Sequence, residues 1–170
     1  MFISRFSESV LMIRQKITTF LWYDRHAEEA ARFYCTLFKD SQILSVKHFP
    51  EGGPAPAGTV MTVEFQLAGI EYVALNGGPM FQFTEAISLS VDCEDQTEVD
   101  FLWERLTEGG EPGHCGWLKD RYGLSWQIIP RILPELLGSS DGVKAQRVMA
   151  AMLQMSKLNI SLLQHAADRV

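Results

Sequence analysis

The chain has 170 residues, of which 46% are hydrophobic and 21% are charged, and its formal net charge is −6. This is the composition of a globular protein that can bury a core, so disordered and fibrous classes are excluded. Acidic residues outnumber Lys and Arg by 21 to 15 without a dense basic cluster, and nucleic acid or an anionic membrane is therefore not an expected partner. The length suits one domain or two small modules.

The cysteines and the N-terminal residues indicate in which cellular compartment the protein is expected. Three widely spaced cysteines (Cys35, Cys93 and Cys115) do not form a disulfide framework, which favours a reducing, cytoplasmic setting. Residues 1–15 are interpreted as an N-terminal tail. Their apolar run over residues 10–13 is too short to cross a bilayer, and no small-residue cleavage site follows it, so we expect neither a membrane span nor a signal peptide.

A first block of predicted elements occupies residues 16–79. β-Branched and aromatic residues predict a strand over residues 16–23, and Asp24 is expected to cap a helix that ends near Phe38. Apolar residues at steps of three and four support that helix: Ala27, Ala30, Ala31, Tyr34 and Leu37. The later strands of this block are predicted over residues 42–49, 59–67 and 71–75, with a Gly- and Pro-rich loop over residues 50–58.

A second block, over residues 80–131, repeats this order. Its predicted elements are a strand over residues 87–93, a helix over 95–108, a loop over 109–113, and strands over 115–119 and 125–130. Residues 23–33 align without gaps on residues 91–101, and each copy has an Asp nine residues before a Phe. The pattern predicts an internal repeat of strand, helix and three strands.

The last segment, residues 132–170, is predicted to be helical. Helices are expected over residues 132–137, 143–155 and 160–167, and Asn159 is expected to cap the third. Met149, Met152 and Met155 lie three apart. We interpret this stripe as a helix face packed on the sheet or on a second subunit, with an adaptable Met-rich binding face as the alternative.

No established catalytic motif occurs in the sequence. It has no Gly-rich phosphate loop, no Gly-x-Ser-x-Gly, no His-Glu-x-x-His and no Cys-x-x-Cys. The missing loop argues against a cofactor bound in the Rossmann manner, including S-adenosylmethionine. His26, His48 and His165 are expected at the surface. His114 and Cys115 are adjacent where a predicted loop enters a strand, and adjacent residues on a strand point to opposite faces, which suits a nucleophile–base pair poorly.

A set of aromatic and amide side chains is more informative about a possible ligand pocket: Trp22, Asn76, Trp117, Tyr122, Trp126 and Gln127. Such sets line ligand pockets, but they also fill β-sheet cores when the indole N–H finds a partner. Both interpretations remain open at this point.

Several of these residues lie in motifs that resemble a known family. Residues 17–23, 27–31 and 33–34 resemble the first module of the vicinal oxygen chelate superfamily, which holds glyoxalase I, bleomycin-resistance proteins and extradiol dioxygenases. The PhnB-like branch, often labelled 3-demethylubiquinone-9 3-methyltransferase, is indicated by residues 73–78, 83, 115–117, 119–123 and 125–127. The resemblance spans about residues 16–160.

The resemblance implies an α+β fold in which two βαβββ modules form a curled mixed sheet with a cleft, followed by C-terminal helices. It also implies a homodimer. Metal enzymes of the superfamily carry His or Glu at four positions facing the cleft, which here fall on Thr19 or Phe20, Leu75 or Asn76, Ile87 or Ser88, and Gln127. Because none of these is an imidazole, thiolate or carboxylate, we expect neither a bound metal nor a cofactor.

The resulting expectation is a metal-free cleft that binds a small, partly aromatic or apolar organic molecule, with catalysis left open. The candidate ligand-binding residues are Phe20, Trp22, Asn76, Ser88, Trp117, Trp126 and Gln127. One alternative is a metal-dependent lyase, isomerase or dioxygenase that uses His48 or His114 with Glu64 or Glu71. The other is the methyltransferase that the family label names.

Overall fold

The computed structural model describes residues 15–169, so the predicted tail lies outside the described residues except for Gln15. The first half contains β1 (Thr19–Tyr23), α1 (Ala27–Cys35), β2 (Gln42–His48), β3 (Val60–Leu67) and β4 (Ile70–Asn76). The second half contains β5 (Leu89–Cys93), α2 (Gln96–Thr107), β6 (Glu111–Pro112), β7 (Trp117–Lys119) and β8 (Ser125–Pro130). Helices α3 (Ile132–Leu137), α4 (Gly142–Met152) and α5 (Ile160–Asp168) follow.

The two halves have the same strand order. The first sheet runs β1-β4-β3-β2 and the second β5-β8-β7-β6. In each sheet the strand before the helix pairs in parallel with the last strand of its half, and the remaining pairs are antiparallel. This topology confirms the α+β class and the βαβββ repeat. The division of the chain at residues 79/80 and 131/132 stays a prediction.

Several local expectations are wrong: the helix predicted over residues 143–155 ends at Met152, and the strand predicted over residues 115–119 begins at Trp117, which leaves Cys115 in a turn. Residues 109–113, predicted as a loop, contain β6, in which Glu111 pairs with Lys119 of β7. Asp24 does not cap α1, which begins at Ala27 with no side-chain cap from the preceding residue. The Ala27 N–H instead donates to Asn76 Oδ1 at 2.8 Å. The cap comes from a strand that is near in space and 49 residues away in sequence, which a local signal does not reveal.

One hydrophobic core is shared by both sheets. It includes Leu21, Val63 and Phe65 from the first sheet and Leu118, Trp126 and Ile128 from the second. Tyr34 of α1 lies between them, with its ring centroid 6.5 Å from that of Phe65 and 5.2 Å from that of Trp126. Because side chains alternate along a strand, the neighbours of these core residues lie on the outer faces of the sheets, away from the shared core.

Asp120 links the two halves through buried hydrogen bonds. Its side chain is 3% exposed and accepts from the Tyr34 hydroxyl at 2.6 Å and from Trp126 Nε1–H at 2.9 Å. The main-chain N–H groups of Tyr122 and Leu124 also donate to it. Burial raises the pKa of the Asp120 carboxyl, and these hydrogen bonds oppose that rise. No role for Asp120 was predicted from the sequence, in which it lies within the family motif at residues 119–123.

The C-terminal helices form a second cluster of buried residues: Leu133, Leu136, Val148, Leu158, Leu163 and Ala167. The turn between β6 and β7 contacts this segment where the Cys115 N–H donates to the Met155 carbonyl. Met152 and Met155 pack against the cluster, whereas Met149 remains 41% exposed. Asn159 Oδ1 accepts from the Leu162 N–H, which confirms the predicted cap. None of the helices between residues 15 and 169 is both long and apolar enough to cross a bilayer.

The three cysteines are unpaired, and Cys93 is buried. Burial raises the pKa of the Cys93 thiol to about 12. Since the thiolate is the reactive form, native protein treated with iodoacetamide near about pH 8 is expected to leave Cys93 unmodified. Peptide mass spectrometry checks this, with urea-unfolded protein as the control in which all three cysteines react. Rapid modification of native Cys93 would contradict the structure.

Candidate functional site

Trp22 is held rigidly on the outer face of the first sheet. Its Nε1–H donates to the Gly78 carbonyl at 2.8 Å. The Phe81 ring packs edge-to-face against the indole, with ring centroids 5.0 Å apart. Gly77 lies directly against the ring, since a Cβ at this position would fall 2.2 Å from the indole carbons. The indole therefore has a fixed position and presents a fixed aromatic wall.

A cavity of about 940 Å³ lies beside this wall, under the loop that joins β2 to β3. We call it the Trp22 cavity; its lining includes Trp22, Phe49, Pro54, Met61, Leu75 and Asn76. Mostly apolar cavities of this size with a few polar groups are typical of small-molecule sites. Charged residues also contribute to the lining: Asp24, Arg25, Glu28 and Glu29.

Asn76, one of the predicted site residues, lines this cavity but already supports the fold. Its Oδ1 accepts from the Ala27 N–H at 2.8 Å, and its Nδ2 donates to the Val60 carbonyl at 3.0 Å. An amide has two acceptor lone pairs and two N–H donors, so one of each remains for a ligand.

Removing the Asn76 amide is expected to weaken the fold. In the Asn76→Ala variant, α1 loses its cap and the Val60 carbonyl loses a donor, so the free energy of unfolding should fall by about 1–2 kcal/mol. Urea unfolding followed by circular dichroism measures this. Asn76→Asp keeps the acceptor for α1 but sets a carboxylate oxygen against the Val60 carbonyl, so it should not restore the wild-type stability. Unchanged stability of the Ala variant would contradict the assignment.

The other predicted site residues are distributed over three places. Phe20 is 63% exposed on the same outer face as Trp22. On the outer face of the second sheet, Gln127 Nε2 donates to Ser88 Oγ at 2.8 Å, and Trp117 pairs directly opposite Gln127. Trp126 is 1% exposed in the core. The two groups therefore lie on the outer faces of two different sheets, and their meeting in one cleft stays a prediction.

The donors at the inherited metal positions do not fit zinc, nickel or iron. Phe20 has no donor atom, and the amides of Asn76 and Gln127 and the hydroxyl of Ser88 are neutral oxygen groups, whereas these metals need imidazole, thiolate or carboxylate ligands for useful affinity. In residues 15–169, no three His, Cys, Asp or Glu side chains gather as a metal site would require. Of the alternative ligands, Glu64 is hydrogen-bonded by the Lys47 ammonium, which lowers the pKa of its carboxyl.

Sequence reasoning missed one polar cluster beside Trp22. The Tyr122 hydroxyl donates to Glu29 Oε1 at 2.9 Å, and His26 Nδ1 lies 3.1 Å from Glu29 Oε2. The hydrogen bonds from His26 and Tyr122 lower the pKa of Glu29. All three residues line a smaller cavity of about 510 Å³, which also includes Trp22. Tyr122 was noted as an aromatic candidate, but its partner lies 93 residues away in sequence.

Comparisons with known proteins agree with the topology. The family profile described as 3-demethylubiquinone-9 3-methyltransferase matches residues 15–129. The PhnB protein of Bacillus cereus is 39% identical, with a TM-score of 0.64, and the match covers 68% of this chain and 99% of that one. No curated protein matches the chain.

More distant structures share the fold. Protein PA1353 of Pseudomonas aeruginosa is 19% identical, with a TM-score of 0.57, over 69% of this chain and 98% of that one. Helices α3 to α5 lie beyond the residues that the family profile matches. With more than half of the chain matched and a relative of 39% identity, the chain belongs to the family described as 3-demethylubiquinone-9 3-methyltransferase, the PhnB-like family that its motifs indicate.

Proposed function

We propose that this chain binds a small, partly aromatic or apolar organic molecule in the Trp22 cavity, without a metal ion. The observation that carries the proposal is a cavity of about 940 Å³ with an indole wall fixed by a hydrogen bond and by an edge-to-face ring contact. A flat ligand stacks on the indole, and the remaining N–H and lone pair of Asn76 orient its polar group. Neutral donors at the inherited metal positions support binding without metal.

We also propose that the protein is a homodimer and that it is cytoplasmic. A second copy placed against the exposed Phe20 would bring the outer face of its second sheet, with Ser88, Trp117 and Gln127, toward the Trp22 cavity. This arrangement is supported by the separation of the two residue groups within one chain and by the 63% exposure of Phe20. Three free thiols support a reducing compartment. The net charge of −6 favours neither nucleic acid nor an anionic membrane as partner.

The dimer is tested with Phe20→Glu. A carboxylate buried without a partner at the proposed interface is strongly unfavourable, so the variant is expected to be monomeric at micromolar concentrations where the wild type is dimeric. Sedimentation velocity measures both states. Leu153→Glu, at a residue 56% exposed on the C-terminal helical segment, is the matched control and should remain dimeric. A monomeric wild type, or a dimeric Phe20 variant, would contradict the proposal.

Ligand binding is tested by calorimetry with catechol, indole and 2-naphthol. At least one should bind with a dissociation constant below about 1 mM, and Trp22→Leu should weaken it by at least about tenfold. Trp103→Leu, on α2 and outside the Trp22 cavity, should bind as the wild type does. Absence of binding by all three, or equal binding by the Trp22 variant, would overturn the proposal.

Two further experiments test the alternative functions, a methyltransferase and a metal-dependent enzyme. Saturable binding of S-adenosylmethionine in the same calorimeter would favour the methyltransferase named in the family description over the proposed function. Elemental analysis after incubation with zinc, nickel, manganese and ferrous iron tests the metal enzyme. Near-stoichiometric metal that is lost in His114→Ala would overturn the metal-free site.

A further inference from the structure

A separate cavity of about 780 Å³ lies between the two halves, on the helix side of the sheets. None of its lining residues belongs to the Trp22 cavity. We call it the inter-module groove; its apolar surface includes Phe38, Ile70, Tyr72, Leu89 and Phe101, and the buried Trp126 packs behind Phe38. The Phe38 and Trp126 rings stack with centroids 5.9 Å apart, and Phe101 remains 45% exposed. The groove thus offers an aromatic surface to a ligand.

Strand β5 forms one side of the groove with its edge. Four consecutive residues, Leu89 to Asp92, line the groove, whereas a strand that presented a face would contribute alternate residues. Within the described part of the chain β5 pairs only with β8, so its other side has unpaired main-chain groups. Carbonyl oxygens along such an edge accept hydrogen bonds from a ligand with N–H donors.

The charge of the groove is negative. Five acidic residues line it (Asp40, Asp92, Glu94, Asp95 and Glu98), against two basic residues, Lys39 and Arg131. Arg131 is paired with Asp92 at 2.9 Å and with Glu94 at 3.3 Å. Asp95 and Glu98 accept hydrogen bonds from main-chain N–H groups at the start of α2. Asp40 has no ion pair among residues 15–169, so a carboxylate remains for a cation.

We propose that the inter-module groove binds a primary ammonium compound with an aromatic or apolar body. The body packs against Phe101 and Tyr72, and the ammonium group donates to Asp40 and to carbonyls along the edge of β5. An alcohol of the same shape lacks the charge, and a carboxylate is repelled by the acidic lining. This site is independent of the proposed function, because the two cavities share no lining residue.

The probe is 2-phenylethylamine, with binding measured by calorimetry and by chemical-shift titration. It should bind saturably, whereas the neutral 2-phenylethanol and the anionic 3-phenylpropionate should each bind at least about tenfold more weakly. Raising the salt concentration to about 0.5 M should weaken binding of the amine severalfold, because the charges are partly exposed to solvent. Equal binding of the alcohol, or no saturable binding of the amine, would overturn the assignment.

Substitutions of groove residues test whether the amine binds in the inter-module groove. Phe101→Ala and Asp40→Asn should each weaken 2-phenylethylamine binding by at least about fivefold, and neither residue belongs to the buried core. Trp22→Leu is the matched control and should bind the amine as the wild type does. If either Phe101→Ala or Asp40→Asn binds 2-phenylethylamine as the wild type does, the proposed site in the inter-module groove is wrong. Loss of amine binding only in the Trp22 variant would assign the amine to the Trp22 cavity and would also overturn the groove.

Discussion

Replacing Asp120 by Asn is expected to lower the free energy of unfolding by about 2–4 kcal/mol. The native carboxylate accepts hydrogen bonds from four donors, and the indole N–H of Trp126 and the two main-chain N–H groups can only donate. In either orientation, the amide nitrogen of Asn faces at least one of these donors. A buried polar contact is then replaced by a repulsive one.

Urea unfolding at neutral pH measures this change. Asp92→Asn is the matched control, because Asp92 is 62% exposed and forms only a surface ion pair with Arg131. Its effect should stay within about 1 kcal/mol. Tyr34→Phe, which removes one of the four donors, should cost less than Asp120→Asn. Equal stability of Asp120→Asn and wild type would show that the carboxylate does not hold the two halves together.

Gly77→Ala is expected to destabilise the protein by about 1–3 kcal/mol and to displace Trp22. The new Cβ would lie 2.2 Å from the indole carbons, and the indole cannot move without losing its hydrogen bond to Gly78. Because Trp22 forms a wall of the Trp22 cavity, binding of the aromatic probe that the wild type accepts should weaken as well. Urea unfolding and calorimetry measure the two effects.

Gly142→Ala is the matched control for this substitution. A Cβ at Gly142 meets nothing within 4 Å, and the residue is the first of α4. Its stability should be unchanged or raised by up to about 1 kcal/mol, since Ala favours the helix. If Gly77→Ala behaves like Gly142→Ala in both measurements, Trp22 is not held as the structure describes.

Much of the architecture was accessible from the sequence. Strands β2, β3 and β8 and helix α2 lie within a residue of their predicted bounds, because hydrophobic periodicity and turn residues are local signals. The repeat was detectable from the repeated order of predicted elements, although the ungapped alignment is out of register with the fold, since Asp24 follows β1 whereas Asp92 lies within β5. The motifs at residues 73–78 and 119–127 identified the family, which the profile match confirms.

Local signals do not report which faces of distant elements meet. Asn76 was predicted as a ligand-binding residue from its chemistry, but the tertiary structure also engages it at the start of α1. The Asp120 network joins residues 86 positions apart, so only the packed fold shows its extent. Phe20 and Gln127, which the resemblance places in one cleft, lie on strands of two different sheets, and their sharing a cleft stays a prediction.

The sequence by itself determined the fold class, the repeat and the family, because these depend on periodicity and on short motifs. Only the tertiary structure decided which side chains share a cavity. Side-chain alternation assigns each residue to one of the two faces of its strand. The packing of α1 between the sheets then determines which face of each sheet is buried in the core. The aromatic residues were therefore divided between core and surface by long-range packing, which their identities alone do not encode.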